Sequence, residues 1–289
     1  MQHLEFFHTE HFENNYYRTP APAALSPFID FFWETDFDKL WTQHPEGFSD
    51  TLFPNIGYTY LFNLGTPFIM QVHDKKIHMR SDGFLPRHKA IECYHKPGNR
   101  LFGIKFRVSP VVFTKKINFS EYHGYIYPLS YLLDPAIIER VKKAACFEDR
   151  RDIVSNYFLS VLREHEGSLK HVPIVLEILE HSYQHNDFTS SVELIAKKYK
   201  VSPRTLQRYF EKATGFSSKK ALQIMRIRKA AAHLANSPED FHYSLYGYYD
   251  KSHFYKHLKT FLHKKTIRHI TPHLQLANGM MKEIVRSQK

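Results

Sequence analysis

A short row of polar side chains between residues 203 and 213 has the chemistry needed to recognise DNA base pairs. Three apolar residues recur there at four- and three-residue spacing and share the buried face of one helix: Leu206, Phe210 and Ala213. Arg204, Gln207 and Arg208 fall on other faces. Arg forms two hydrogen bonds with guanine and Gln two with adenine, so these side chains suit a helix in the major groove. An ordinary solvent-exposed amphipathic helix is the alternative.

Capping residues indicate which elements position this row. Ser190 is predicted to cap a first helix, with Glu193 as its capping-box partner. Ser202 and Pro203 then start a second helix, because Ser is a preferred cap and Pro suits the first helical position. Lys200 lies in the turn between the two helices. The pattern predicts a helix-turn-helix.

Positive charge is confined to the same part of the chain. Residues 171–289 hold 20 Lys plus Arg against 9 Asp plus Glu, whereas residues 1–170 hold 20 against 20. The net charge of +11 therefore lies entirely on the C-terminal part. A surface that neutralises phosphates has this distribution.

A second helix-turn-helix follows the first. Ser217 opens a helix through Ala235, which spans about 25 Å at 1.5 Å per residue. Ser237 is predicted to cap another helix, Gly247 supplies a residue for the turn, and Asp250 caps a final helix. The outward residues of that final helix are Lys251, Ser252, His253 and Lys256.

The stretch from 172 to 262 resembles the DNA-binding domain of AraC-type transcription regulators. The segments that carry the resemblance are LIAKKYKVSPRTLQRYF, ATGFS and GYYDKSHFYKHLK. The resemblance implies an all-α domain with two helix-turn-helix units and sequence-specific binding to double-stranded DNA. It also implies DNA contacts by Ser202, Arg204, Thr205, Gln207, Arg208, Lys251, Ser252, His253 and Lys256.

Departures from the family pattern fall mainly on the second unit. His242, Tyr243 and Ser244 stand where good helix formers are usual, and Lys256 replaces an Arg, leaving a point charge in place of a two-pronged donor. Lys200 stands where the first turn often has Gly, at a cost of about 1 kcal/mol if it is left-handed. We therefore expect the first unit to dominate base recognition and the second to contribute mainly phosphate contacts.

The residues before 165 predict a different domain. Short segments rich in aromatic and β-branched residues, such as 50–63 and 100–108, indicate a small β-barrel, and apolar stripes after Pro135 indicate two packed helices. The polar stretch 164–170 separates the two parts, which gives an N-terminal domain at 1–165 and a DNA-binding domain at 171–275. The expected class is α+β with two domains.

This front part resembles the sensor-like domain that precedes AraC-type domains in a subgroup of bacterial regulators. The segments LSPFIDFFWE, YTYLFNLGTPF and GIKFRVSPVVF carry this resemblance. It implies a cupin-like barrel with helices that binds a small-molecule effector, mediates homodimerisation, or both.

Candidate ligand-binding residues in the front part are aromatic. Trp33, Tyr58, Tyr60 and Phe62 suit the wall of an apolar cavity, although packing in the core is the favoured interpretation. Four histidines raise the question of a metal: His73, His78, His88 and His95. The cupin pattern of two His separated by one residue is missing, so no metal and no cofactor are predicted. We also find no catalytic motif.

The remaining sequence features bear on the compartment and on alternatives. Two cysteines, Cys93 and Cys146, are too few for a disulfide framework, and no segment is long and apolar enough to span a membrane. These features predict a cytoplasmic protein without a membrane partner. Two other functions stay open: a small-molecule enzyme, and an interaction adaptor, each with a vestigial DNA-binding domain.

Overall fold

The computed structural model of the chain describes residues 9–72, 74–86, 88–110 and 125–262. The strands are β1 (Tyr16–Pro20), β2 (Ile29–Asp36), β3 (Ser49–Leu52), β4 (Tyr58–Asn63), β5 (Phe68–Val72), β6 (Lys75–Met79), β7 (Gly83–Pro86), β8 (Ile91–Tyr94), β9 (Arg100–Phe106) and β10 (Tyr127–Pro128). The helices are α1 (Thr9–Asn14), α2 (Asp38–Gln43), α3 (Pro135–Lys143), α4 (Phe147–Glu164), α5 (His171–His185), α6 (Val192–Lys198), α7 (Pro203–Thr214), α8 (Ser218–Asn236) and α9 (Lys251–Phe261). The predicted α+β class is confirmed, with strands in the front part and helices in the back.

The strands form two antiparallel sheets that pack face to face. One sheet has the order β1-β2-β9-β4-β7-β10 and the other the order β3-β8-β5-β6. Side chains of both sheets, including Phe31, Leu61, Met70 and Cys93, share one buried cluster between them. In the described residues no ladder joins the two sheets, so the predicted barrel is not closed. The paired sheets still fit the predicted cupin-like arrangement.

The central strands of the six-stranded sheet are buried on both faces, and strand alternation decides which residues face which side. All six residues of β4 are buried. Tyr58, Tyr60 and Phe62 face the main core, whereas Leu61 faces the cluster between the sheets. Successive side chains on a strand point to opposite faces, so residues two apart share a side.

Helices α3 and α4 pack against each other and cover the outer face of this sheet. The ring of Phe158 lies 5.5 Å from that of Phe106 and 6.3 Å from that of Tyr60. Arg150 of α4 donates to Glu34 of β2 at 2.9 Å, and both side chains are buried. The helix pair predicted after Pro135 is confirmed.

Two local expectations in the helical part are wrong. Asp187 accepts hydrogen bonds from the backbone and the hydroxyl of Ser190, so Ser191 caps α6 instead. The helix expected after Ser237 does not form, and the chain makes a turn and then a 3₁₀ helix, Tyr243–Tyr246. The N–H of Asp240 donates to the carbonyl of Ser237 at 3.2 Å in this turn, and the next residue, Phe241, is 3% exposed.

The helical part contacts the front sheets directly. Ser109 donates its backbone N–H to the carbonyl of Ala213 at 2.6 Å, and the Tyr58 hydroxyl donates to the carbonyl of Thr214 at 3.3 Å. One buried cluster runs through both parts. The division into domains at 1–165 and 171–275 stays a prediction, and its C-terminal limit lies outside the described residues.

Candidate functional site

The first helix-turn-helix unit consists of α6 and α7. Lys200 in the turn has a left-handed backbone, with φ of 53°. Ser202 caps α7, because its hydroxyl oxygen accepts a hydrogen bond from the N–H of Thr205 at 3.1 Å, and Pro203 occupies the first turn. The predicted start of the recognition helix is confirmed.

Helix α7 separates an apolar face from a cationic one. Leu206, Phe210 and Ala213 have no exposed surface. Arg204 and Arg208 are exposed and lie four residues apart, which is about one helical turn. Two guanidinium groups therefore project side by side from a helix that is held firmly on its other side.

Gln207 is less available than its two neighbours in the predicted row. It is half-buried, and its amide donates to Glu211 at 2.8 Å. Its carbonyl oxygen accepts from the backbone N–H of Ser218 at 3.4 Å, at the start of α8. A contact between Gln207 and a base therefore requires these hydrogen bonds to break.

Ser202 and Thr205 lie at the N-terminal end of α7. Ser202 is exposed and its hydroxyl donates to the hydroxyl of Thr205 at 2.9 Å. The N-terminus of a helix attracts anions, because its first N–H groups lack helical partners and its dipole is positive there. This position suits a contact between these two residues and a DNA phosphate.

The second unit consists of the 3₁₀ helix and α9. Gly247 in its turn has a left-handed φ of 70°, and Asp250 caps α9 by accepting from the N–H of His253 at 2.6 Å. The His253 ring is half-buried and stacks against Tyr249. The exposed residues of the predicted set are Lys251, Ser252 and Lys256.

A cluster around Arg226 fixes the second unit on α8. Arg226 donates to the carbonyl of Tyr246 at 2.6 Å, and its guanidinium lies 3.8 Å from the centre of the Tyr248 ring. Tyr248 Oη lies 2.6 Å from Nδ1 of His257. Burial, together with the positive charges of Arg226 and Lys220, lowers the pKa of His257 to about 4, so this imidazole is neutral at pH 7.

A cavity of about 50 Å³ lies between the two sheets of the front part. Its apolar wall includes Phe31, Trp33, Leu61 and Met70. The polar lining residues are Thr35, Asp50, Asn55, Thr59, His95, Lys105 and Arg228. A cavity of this size holds a few atoms, so a larger ligand requires the two sheets to separate.

One of the four aromatic candidates lines the cavity. Trp33 lines it, whereas Tyr58, Tyr60 and Phe62 face the main core on the opposite side of β4. These three residues pack in the main core, as the favoured interpretation of the sequence predicted. The residues of β4 that line the cavity are Thr59 and Leu61, which alternate with them.

Arg228 is a functional candidate that the sequence analysis missed. It belongs to α8, yet its side chain is 5% exposed, lines the cavity between the front sheets and donates to the carbonyl of Pro54 at 3.1 Å. Lys105 of β9 is a second buried cation in the same lining. The available signal was that Arg228, two residues after Arg226, points to a different face of the helix.

The four histidines do not converge on one point, but one of them joins another set of ligands. His78 is exposed, His88 is buried beside Phe216, and His73 lies outside the described residues. His95 lies with Asp50 and Cys93, and potential ligand atoms of these three buried residues lie within 4.8 Å of one another. Nitrogen, sulfur and carboxylate oxygen are the donors that zinc binds.

Comparison with known proteins supports the assignment of the back part. Residues 195–265 match a protein-family model described as a helix-turn-helix domain. No curated protein matches the chain. Similar solved structures include ToxT from Vibrio cholerae O395, at 11% identity and a TM-score of 0.41, covering 86% of this chain and 92% of that chain.

Two ligand-bound forms of ToxT are comparably similar. The form from Vibrio cholerae strain SCE256 with an unsaturated fatty acid is 9% identical, with a TM-score of 0.40, covering 86% of this chain and 90% of that chain. The form from Vibrio cholerae O395 with (E)-4-(8-methylnaphthalen-1-yl)but-3-enoic acid is 11% identical, with a TM-score of 0.41, covering 89% of this chain and 98% of that chain.

The C-terminal region of this chain is a helix-turn-helix DNA-binding domain. Its recognition as an AraC-type domain is confirmed over the matched region. The match therefore supports DNA binding and transcription regulation as the function of this region. Within the part of the chain that the structure describes, no helix is long and apolar enough to cross a membrane.

Proposed function

We propose that this regulator recognises a specific DNA sequence by placing α7 in the major groove. Arg204 and Arg208 contact base edges there, while Ser202 and Thr205 hold the phosphate backbone at the start of the helix. The observation that carries the proposal is the exposure of both guanidinium groups on a helix whose other side is completely buried. Gln207 contacts DNA only after release from Glu211 and Ser218.

The second recognition helix, α9, contacts the next segment of the same groove. Helix α8, of 19 residues and about 28 Å long, connects the two units, and this length is comparable to one turn of the duplex. Lys251 and Lys256 contact phosphates, while Ser252 and His253 lie nearest the bases. Because lysine is a point charge, we expect this unit to add more affinity than specificity.

Selection of preferred sites from random duplexes tests this function directly. We expect full-length protein to enrich a site whose better-defined half corresponds to α7. A matched selection with the double variant Arg204→Ala/Arg208→Ala should enrich that half weakly or not at all. No enrichment by the wild-type protein would favour the adaptor, in which the DNA-binding domain is vestigial.

Regulation through the front part is supported by the position of Arg228. A small molecule with an anionic group, bound between the sheets, would interact with Lys105 and Arg228 and so act on a residue of α8. The matched test measures DNA affinity with and without candidate carboxylates, in wild type and in Lys105→Gln. A response of equal size in both proteins would place the effector elsewhere.

Two further properties are proposals about the whole protein. Ile153, Tyr157, Val161 and Leu162 on α4 are only half-buried, which supports a homodimer contact along this helix. Analytical ultracentrifugation of wild type and Val161→Glu tests it, because a dimer through α4 should dissociate in the variant.

We also propose that the protein acts in the cytoplasm, where its DNA target lies. Fractionation of cells tests this location.

A further inference from the structure

We propose that Asp50, Cys93 and His95 bind a zinc ion inside the cavity between the two front sheets. No catalytic role is implied. This site goes beyond DNA recognition, and it lies in the same cavity as the proposed effector site. It also replaces the expectation, drawn from the sequence, that the front part holds no metal.

Strand pairing brings the three ligands together. Asp50 lies directly opposite Cys93 in the antiparallel pair of β3 and β8, so the two side chains emerge on the same face. His95 follows Cys93 by two residues and therefore shares that face. All three residues line the cavity, which leaves room for a fourth ligand, as in zinc sites with an open position.

The distances require only a small adjustment on binding. Zinc bonds of about 2.0–2.3 Å in a tetrahedral site hold neighbouring ligand atoms about 3.3–3.8 Å apart. Nε2 of His95 lies 3.1 Å from Oδ1 of Asp50, and the ligand atoms of all three residues lie within 4.8 Å of one another. Side-chain movements of about 1 Å therefore produce the required geometry.

The hydrogen bonds behind His95 orient it as a ligand. Asn99 donates its amide N–H to the carbonyl of Thr66 at 3.2 Å, which leaves its oxygen facing Nδ1 of His95 at 2.7 Å. Nδ1 therefore carries a proton, and Nε2 points at the carboxylate of Asp50. The separation of Nε2 and Oδ1 is 3.1 Å. Ligating histidines commonly donate their other N–H to an oxygen in this way.

Charge and burial favour zinc over a harder cation. Cys93 is 1% exposed and His95 is 5% exposed, and the His95 ring stacks on Phe37 at 3.6 Å. One thiolate and one carboxylate together balance the charge of the zinc ion. The thiolate is a poor ligand for magnesium or calcium. Binding releases the thiol proton of Cys93 to solvent.

Cobalt substitution in the full-length protein tests the site. After removal of bound metals with a chelator, wild type should take up one equivalent of Co²⁺ and show a thiolate-to-cobalt charge-transfer band, which Zn²⁺ then abolishes. Cys93→Ser should lose the charge-transfer band and bind Zn²⁺ at least tenfold more weakly. His95→Gln should also bind Zn²⁺ at least tenfold more weakly. Cys146→Ser, at the exposed cysteine, is the matched control and should keep both properties.

Three results would overturn the proposal. Wild type that shows no thiolate band with Co²⁺ has no such site, whatever the variants do. If the band persists in Cys93→Ser, or disappears in Cys146→Ser, then Cys93 is not the sulfur ligand. Unchanged Zn²⁺ affinity in His95→Gln, with circular dichroism showing a folded protein, leaves His95 and Asp50 as an internal hydrogen-bonded pair only.

Discussion

The two helix-turn-helix units of this chain differ in their first helix and in the charged residues that they expose. In the first, α6 is a regular helix and α7 exposes two arginines. In the second, a 3₁₀ helix of four residues takes the place of the first helix, and α9 exposes lysines. The second unit depends instead on Arg226, Tyr248 and His257 for its position. The comparison shows that side-chain contacts can hold α9 in place where a short 3₁₀ helix stands instead of a regular helix.

The largest effect that could break this comparison concerns core packing. Phe210 and Phe254 are both almost completely buried, one in each unit. Phe210→Ala should lower the free energy of unfolding by about 3–5 kcal/mol, because its surroundings are too rigid to fill the cavity. Phe254→Ala should cost less, since the 3₁₀ segment can relax. Chemical denaturation measures both, and equal losses would contradict the difference in rigidity.

Base recognition provides the second test. Arg208→Ala should weaken binding to the preferred site by about 1–3 kcal/mol and relax the preference at one base pair. Lys256→Ala in the second unit should weaken all sequences alike and reduce the salt dependence of binding. Lys219→Ala, at an exposed lysine near the start of α8, is a control for a pure phosphate contact. Titrations of specific and random duplexes at several salt concentrations measure these effects. Equal loss on both duplexes from Arg208→Ala would remove its assigned role.

Acidification should act on the second unit through His257. Its pKa in the folded protein is about 4, below the ordinary value of 6.5, so the unfolded chain binds the proton more readily. The stabilising contribution is complete above pH 6.5 and is lost as the pH falls towards 4. Because the ring is partly exposed, we expect a loss of about 1–2 kcal/mol.

The matched variants for this pH effect are His257→Gln and His185→Gln. Glutamine at 257 keeps a polar partner for Tyr248 but does not titrate, so part of the pH dependence between 6.5 and 4 should disappear. His185 is exposed and serves as the control. Identical stability curves for wild type and His257→Gln would show that this imidazole does not govern the acid response.

The smallest expected effects lie in the two turns, which use different residues at left-handed positions. Gly247→Ala should destabilise by about 1 kcal/mol, because a side chain is disfavoured at its φ and the added Cβ would lie 3.3 Å from Thr189. Lys200→Gly should stabilise by about 0.5 kcal/mol by relieving the same strain, less the entropy of glycine. Thermal melts of both variants measure the contrast, and a destabilised Lys200→Gly would contradict it.

The local features of the DNA-binding part could be predicted from the sequence. The caps at Ser202 and Asp250 and the buried face of α7 depend on residues within one or two helical turns of each other. The sequence offers two adjacent serines as the cap of α6, and Ser191 takes this position because Asp187 binds Ser190. The helix expected after Ser237 failed because burial of Phe241 outweighs a local capping signal.

The features of the front part depend on strand pairing, which cannot be inferred from the pattern of residues along the chain. The aromatic residues of β4 were identified as buried, but only the packing of the two sheets decides that Thr59 and Leu61 face the cavity. The proximity of Asp50, Cys93 and His95 does not follow from the cupin pattern of two histidines separated by one residue. Asp50 and Cys93 lie on two strands whose register is visible only in the fold, and His95 follows the second of these strands.

The hydrogen bonds from Ser109 and Tyr58 end on the last turn of α7, the helix proposed to enter the groove. The C-terminal end of α7 is thus hydrogen-bonded to the N-terminal part of the chain. Heating should consequently melt both halves in a single calorimetric transition, and a fragment beginning near residue 171 should melt at a lower temperature than the intact chain.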